Sequence, residues 1–115
     1  MAQIFRYRKT FGGKLVKSEV PIEKLIVTRP TLRIEKVHKY RKPTKKYTLS
    51  GVIEFNGKSY LVDGHHKTAA NYLNGEKVIR ARVLKGGDPA KLELVLKRRS
   101  QGSMESLLRK MGLIS

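Results

Sequence analysis

Six consecutive positions, Asp63-Gly64-His65-His66-Lys67-Thr68, hold an acid, a glycine, two imidazoles, an ammonium and a hydroxyl. The apolar run Tyr60-Leu61-Val62 before them reads as a strand, and Thr68-Ala69-Ala70 continues as a helix, with a tight turn at Gly64 between. A helix start exposes unpaired backbone N–H groups and a partial positive charge, so it attracts anions. His65, His66, Lys67 and Thr68 would add side-chain donors at that spot, and Gly64 would let a phosphate approach the backbone. Asp63 would cap the helix or hold a metal. The same string also suits plain connection chemistry, with Asp63 as N-cap and Gly64 supplying an unusual backbone angle.

The segment resembles the Asp-Gly-His-His-Arg motif of the ParB/sulfiredoxin superfamily, which includes plasmid-partition ParB domains, ParB-like nucleases, sulfiredoxins and archaeal free-serine kinases. Val20-Pro21-Ile22-Glu23-Lys24-Leu25 is similar to the opening strand of that family, and the resemblance spans roughly residues 18–85. Lys67 stands where arginine is usual, which keeps the charge but loses bidentate phosphate geometry. The resemblance implies a single small α+β domain with a mixed sheet and helices.

Three chemistries compete for the motif. The first is binding alone, with Gly64 to Thr68 holding a phosphate of DNA or of a nucleotide. The second is a nuclease using Mg²⁺ or Mn²⁺, with Asp63 and another carboxylate as ligands and His65 or His66 positioning water. Glu19, Glu23, Glu35 and Glu54 are equal candidates for that second carboxylate. The third, which the likeness to free-serine kinases implies, is nucleotide-dependent phosphotransfer with Asp63 or Glu23 as base. No Walker A pattern is present, so a nucleotide would depend on the Gly64–Lys67 turn. A structural zinc site is not expected: His65 and His66 are adjacent on a helix and diverge, and His38 is the only other histidine.

Charge separates these readings. The 115 residues carry 26 Lys and Arg against 9 Asp and Glu, a formal +17, and the isoelectric point is 10.5. Such self-repulsion disfavours a compact state unless a polyanion relieves it. A kinase of small metabolites has no need of it. The densest stretch, Lys39-Tyr40-Arg41-Lys42-Pro43-Thr44-Lys45-Lys46-Tyr47, reads as a phosphate-contacting arm whose tyrosines can stack on bases. Arg33, Lys36, Lys39, Arg41, Lys42, Lys45, Lys46, Arg80 and Arg82 are the candidate nucleic-acid contacts. Without cysteine there is no disulfide and no thiol chemistry of the sulfiredoxin kind. No apolar run approaches a membrane span, and Met1 to Arg8 lacks the apolar core of a signal peptide, so a cytoplasmic protein is expected.

Hydrophobic patterns and turn residues mark the elements around the motif. Residues 2–9 and 14–20 look like strands joined by a hairpin at Gly12-Gly13. Thr28-Arg29-Pro30 looks like a helix start, with Ile34, Val37 and Tyr40 as its buried stripe. Asn56-Gly57 signals a hairpin within residues 47–62 that delivers the motif. The motif helix should run from His65 to Leu73 and close at Asn74-Gly75. Val78 to Leu84 forms another strand, with Arg80 and Arg82 outward. Asp88-Pro89 opens one more helix, and Ser103 caps a last one. Its stripe of Met104, Leu107, Leu108 and Met111 suits burial in the chain's own core, with pairing across a homodimer as the alternative. The C-terminal helical segment, about 88–113, lies outside the family resemblance.

The expectation is a ParB/sulfiredoxin-like α+β domain that binds nucleic acid, DNA first, with the phosphate seat after Asp63-Gly64. A metal-dependent nuclease is an extension of that reading, and a nucleotide-dependent phosphotransferase is the alternative.

Overall fold

A computed structural model describes residues 3–42 and 49–115. Six strands form a mixed sheet: β1 (Lys14–Pro21), β2 (Leu25–Val27), β3 (Ser50–Phe55), β4 (Lys58–Asp63), β5 (Val78–Lys85) and β6 (Gly102–Ser103). Their order is β1-β5-β3-β4-β2-β6. The β3–β5 and β2–β4 pairs are parallel, and the remaining pairs are antiparallel. Five helices cover the sheet: α1 (Gln3–Phe11), α2 (Ile34–Arg41), α3 (His65–Leu73), α4 (Pro89–Arg99) and α5 (Met104–Lys110). The expected α+β class is therefore the observed one.

Strand alternation sends side chains to two separate cores. On one face, Val52, Leu61, Ala81 and Val83 meet Val37 of α2, Ala69 and Ala70 of α3, and Leu107 and Leu108 of α5. On the other face, Ile53, Tyr60 and Leu84 meet Ile4 and Tyr7 of α1 and Leu92 and Leu96 of α4. The C-terminal stripe is thus used inside the chain, with Met104 and Leu108 buried. Among the described residues, no helix is long and apolar enough to cross a membrane.

The N-terminal strand expectation is corrected. Residues 3–11 are helical, because Ile4, Tyr7 and Phe11 fall on one side at helical spacing. Tyr7 and Phe11 stack with ring centroids 5.8 Å apart. Gly12 and Gly13, both at positive φ, join this helix to β1 instead of turning a hairpin.

The start expected at Thr28-Arg29-Pro30 is also corrected. That stretch is non-helical, and α2 begins at Ile34 after Arg33 in extended backbone. Val37 is buried as expected, whereas Ile34 is 40% exposed.

The hairpin that carries the motif forms as its sequence demands. Asn56 and Gly57 both take positive φ, at 55° and 75°, the pair of angles a two-residue primed turn needs. The α3 helix spans His65–Leu73 and closes with two crossed bonds. Gly75 N–H donates to Tyr72 O at 3.0 Å and Glu76 N–H to Asn71 O at 2.9 Å. The α4 cap also forms, as Asp88 Oδ1 accepts from Ala90 N–H at 3.1 Å. Ser103 Oγ accepts from Ser106 N–H at 3.1 Å and caps α5.

Candidate functional site

The site begins where β4 ends. Gly64 is the N-cap of α3, with φ at +85°, and no side chain caps the helix. The left-handed angle alone favours glycine, and packing enforces it. A Cβ at this position would lie 2.7 Å from Ser50 Oγ. Ser50 is buried beneath the turn, and its hydroxyl lies 3.4 Å from Thr68 Oγ1, which is also buried. Thr68 therefore faces the core, and its N–H is taken by Gly64 O at 2.9 Å.

The sequence offered Asp63 as a cap of α3 or a metal ligand, but it does not cap α3. Its Oδ2 accepts from Gln3 N–H at 3.1 Å, so it caps the start of α1 instead. The close approach of α1 depends on Gly51, opposite Asp63 in the hairpin. A Cβ on Gly51 would lie 2.8 Å from Ile4 Cβ and 3.0 Å from Asp63 Cβ.

The two histidines are not cationic donors. His65 Nε2 accepts from Thr28 N–H at 3.0 Å, and His66 Nε2 accepts from Arg33 N–H at 3.0 Å. An accepting Nε2 carries no proton, which places the proton of the neutral ring on Nδ1. His65 is held neutral with its pKa lowered to about 3, first by burial, then by Arg29 and by His66. The pKa of His66 is also lowered, by burial first and then by Arg29, Lys36 and Arg33, against an opposing pull from Glu35. Together the two imidazoles clamp the segment between β2 and α2 onto α3. Thr28 Oγ1 adds a bond to Leu61 O at 2.7 Å.

This clamp lays α2 across the start of α3. A cleft of about 120 Å³ results, lined by Lys36 and Tyr40 from α2, and by Leu49, Asp63, Gly64, His66 and Lys67. Burial lowers the pKa of the Lys67 ammonium, with Asp63 pulling the other way. An incoming anion would stabilise that half-buried charge. The volume suits a phosphate group more than a whole nucleotide. Tyr40 was not foreseen as a lining residue. The signal was its spacing of four from Lys36, which puts both on one face of α2.

The other predicted contacts fall into two groups. Arg33, Lys36 and Lys39 lie on or beside α2. Arg33 pairs with Glu35 at 3.7 Å. Arg41 Nε donates to Asn74 Oδ1 at 2.9 Å, tying the end of α2 to the end of α3, and Lys42 follows as the C-cap of α2. Lys45 and Lys46 lie outside the described residues. Arg80 and Arg82 sit elsewhere. They stand opposite Glu19 and Lys17 in the β1–β5 ladder, and their parity matches Leu84, on the α1 and α4 side of the sheet. The Arg82 guanidinium lies 5.1 Å from the Phe5 ring centroid.

The donor set does not suit a divalent metal. Among the described residues, Asp63 is the sole carboxylate lining the cleft, and one of its oxygens is engaged by Gln3. Glu54 pairs with Lys85 at 3.6 Å, Glu35 with Arg33, and Glu23 lines a different groove. Among the described residues, no three His, Asp or Glu side chains gather as metal ligands.

The family model described as Antitoxin VapB-like matches residues 8–87, most of the chain. The chain belongs to the VapB-like antitoxin family. None of the curated proteins matches it. Among solved structures, this VapB-like chain is similar to protein Atu1540 from Agrobacterium tumefaciens, with a TM-score of 0.63 at 16% identity over 89% of this chain and 72% of that one. It is also similar to sulfiredoxin from Arabidopsis thaliana, with a TM-score of 0.59 at 26% identity over 70% of this chain and 97% of that one. The sulfiredoxin likeness supports the ParB/sulfiredoxin-type fold expected from the sequence. It does not carry over thiol chemistry, since this VapB-like sequence has no cysteine.

Proposed function

We propose that this chain is a nucleic-acid-binding module, with DNA as the first choice of ligand, that seats a backbone phosphate in the cleft at the start of α3. The observation that carries this reading is the meeting of an uncapped helix start with Lys36 and Lys67 in one small cleft on a +17 chain. The histidines hold the cleft's walls and leave the contacts to the ammonium groups and the backbone. Arg33, Lys39 and Lys42 extend the positive surface along α2, and Lys45 and Lys46 belong to the same stretch of sequence. The family description, an antitoxin, names no reaction, and a binding module is consistent with it.

Cleavage or phosphotransfer would need more than the cleft holds. A lone carboxylate engaged by Gln3 is a poor metal seat and a poor base, which favours binding without turnover. The decisive experiment is duplex DNA binding across salt for the wild type and for Lys36→Ala combined with Lys67→Ala. Weaker binding of all sequences and a shallower salt slope in the variant support the reading. Identical slopes would overturn it.

A further inference from the structure

At the other end of α3 a groove of about 600 Å³ opens, with no lining residue in common with the phosphate cleft. Its floor and walls include Ile22, Met104, Tyr72 and Val78. Ile22 and Met104 are buried, whereas Val78 is 41% exposed, one of few large apolar side chains left in solvent. Glu23, Glu76 and Glu105 line the same groove beside Lys77, so a third of the chain's 9 acids face one cation there.

The pairing of these acids is informative. Glu105 is held by Arg109 at 2.9 Å. Among the described residues, Glu23 and Glu76 have no ion-pair partner, in a chain with 26 Lys and Arg to choose from. The C-terminal end of α3 beside Glu76 adds negative partial charge. The volume falls in the range of built ligand sites, roughly 300–1,000 Å³. An apolar floor with unpaired carboxylates at the rim is complementary to a chain segment that alternates apolar and cationic side chains.

We propose that this groove docks a short basic segment of a partner polypeptide, its apolar side chains against Val78 and Tyr72 and its Lys or Arg side chains on Glu23 and Glu76. The domain would then be bipolar along α3, taking a polyanion at one end and a cationic peptide at the other. The proposal does not depend on the phosphate cleft.

The test is fluorescence anisotropy with a labelled five-residue peptide alternating leucine and arginine, at ~0.15 M salt so that the chain's overall charge is screened. Saturable binding is expected, weakened about tenfold or more by Glu23→Gln combined with Glu76→Gln. Val78→Arg should weaken it as well, while Lys36→Ala combined with Lys67→Ala should leave it unchanged. Thermal unfolding of each variant checks that these surface exchanges leave the fold intact. Three results would each overturn the proposal: no saturable binding, equal binding of a leucine–glutamate peptide, or full affinity in the double glutamine variant. Displacement by spermidine as effective as by the unlabelled peptide would also overturn it, in favour of a small-cation site.

Discussion

His66 Nε2 accepts the backbone N–H of Arg33 at 3.0 Å, and this bond fixes where α2 begins. Arg33 is thereby held extended, and the helix that follows brings Lys36 and Tyr40 over the start of α3. The neighbouring bond from Thr28 N–H to His65 Nε2 does the same for the entry to that segment. Two imidazoles that look catalytic in the sequence act as backbone clamps.

Acid stability should reveal the clamp. Both histidines have folded pKa values below their ordinary 6.5, His65 at about 3. The unfolded chain therefore binds more protons between about pH 3 and 6.5, and stability must fall as pH drops through that window. Above pH 6.5 the contribution is complete. Each histidine held neutral adds up to about 1.4 kcal/mol per pH unit to the slope. Denaturant midpoints measured from pH 7 to 4 should show this, and His65→Gln, which keeps an acceptor but does not titrate, should flatten it. An unchanged slope in that variant would remove His65 from the account.

Salt dependence should be steep. If about six phosphates are neutralised, the logarithm of the duplex DNA association constant should fall with log salt at a slope near −5. A slope near zero would mean that the +17 charge does not serve nucleic acid. Lys17→Ala with Arg80→Ala and Arg82→Ala probes the opposite sheet face separately. A smaller loss than for Lys36→Ala with Lys67→Ala is expected, because the cleft lies on the other side.

Asp63→Asn should separate capping from charge. Asparagine can still accept from Gln3 N–H, so stability should change by less than about 1 kcal/mol. The lost negative charge beside Lys67 should tighten phosphate and DNA binding. Parallel unfolding and binding titrations would check both. Weaker binding in Asp63→Asn would contradict the phosphate seat, and Mg²⁺-dependent turnover lost in it would restore the catalytic reading.

Gly51→Ala should destabilise the domain by about 1–3 kcal/mol, because the new methyl group meets the Cβ atoms of Ile4 and Asp63. The displacement of α1 would also disturb the cap at Gln3. Thermal unfolding measures the cost. A neutral result would mean that α1 packs on this hairpin less tightly than its contacts imply.

Local chemistry was legible without a structure wherever one short stretch decides the backbone. Asn56-Gly57 dictated a turn, Asp88-Pro89 and Ser103 dictated helix starts, and Asn74-Gly75 dictated a helix end. The motif's strand, glycine turn and helix were readable for the same reason, and the α+β class followed from the family resemblance that the motif carries. The partners across space were not legible. Asp63 was expected to cap its own helix or hold a metal, but its partner is the Gln3 amide from 60 residues away. The histidines were expected to act as donors to an anion, but burial under a segment some 33 to 37 residues upstream makes them neutral acceptors. The basic residues were expected to act together, but strand parity puts Arg80 and Arg82 on the face opposite α2. Capping and turn geometry depend on a few neighbouring torsions, which a sequence encodes directly. Protonation state, hydrogen-bond direction and the sharing of a surface depend on what folding brings alongside, and only the packed structure decides that.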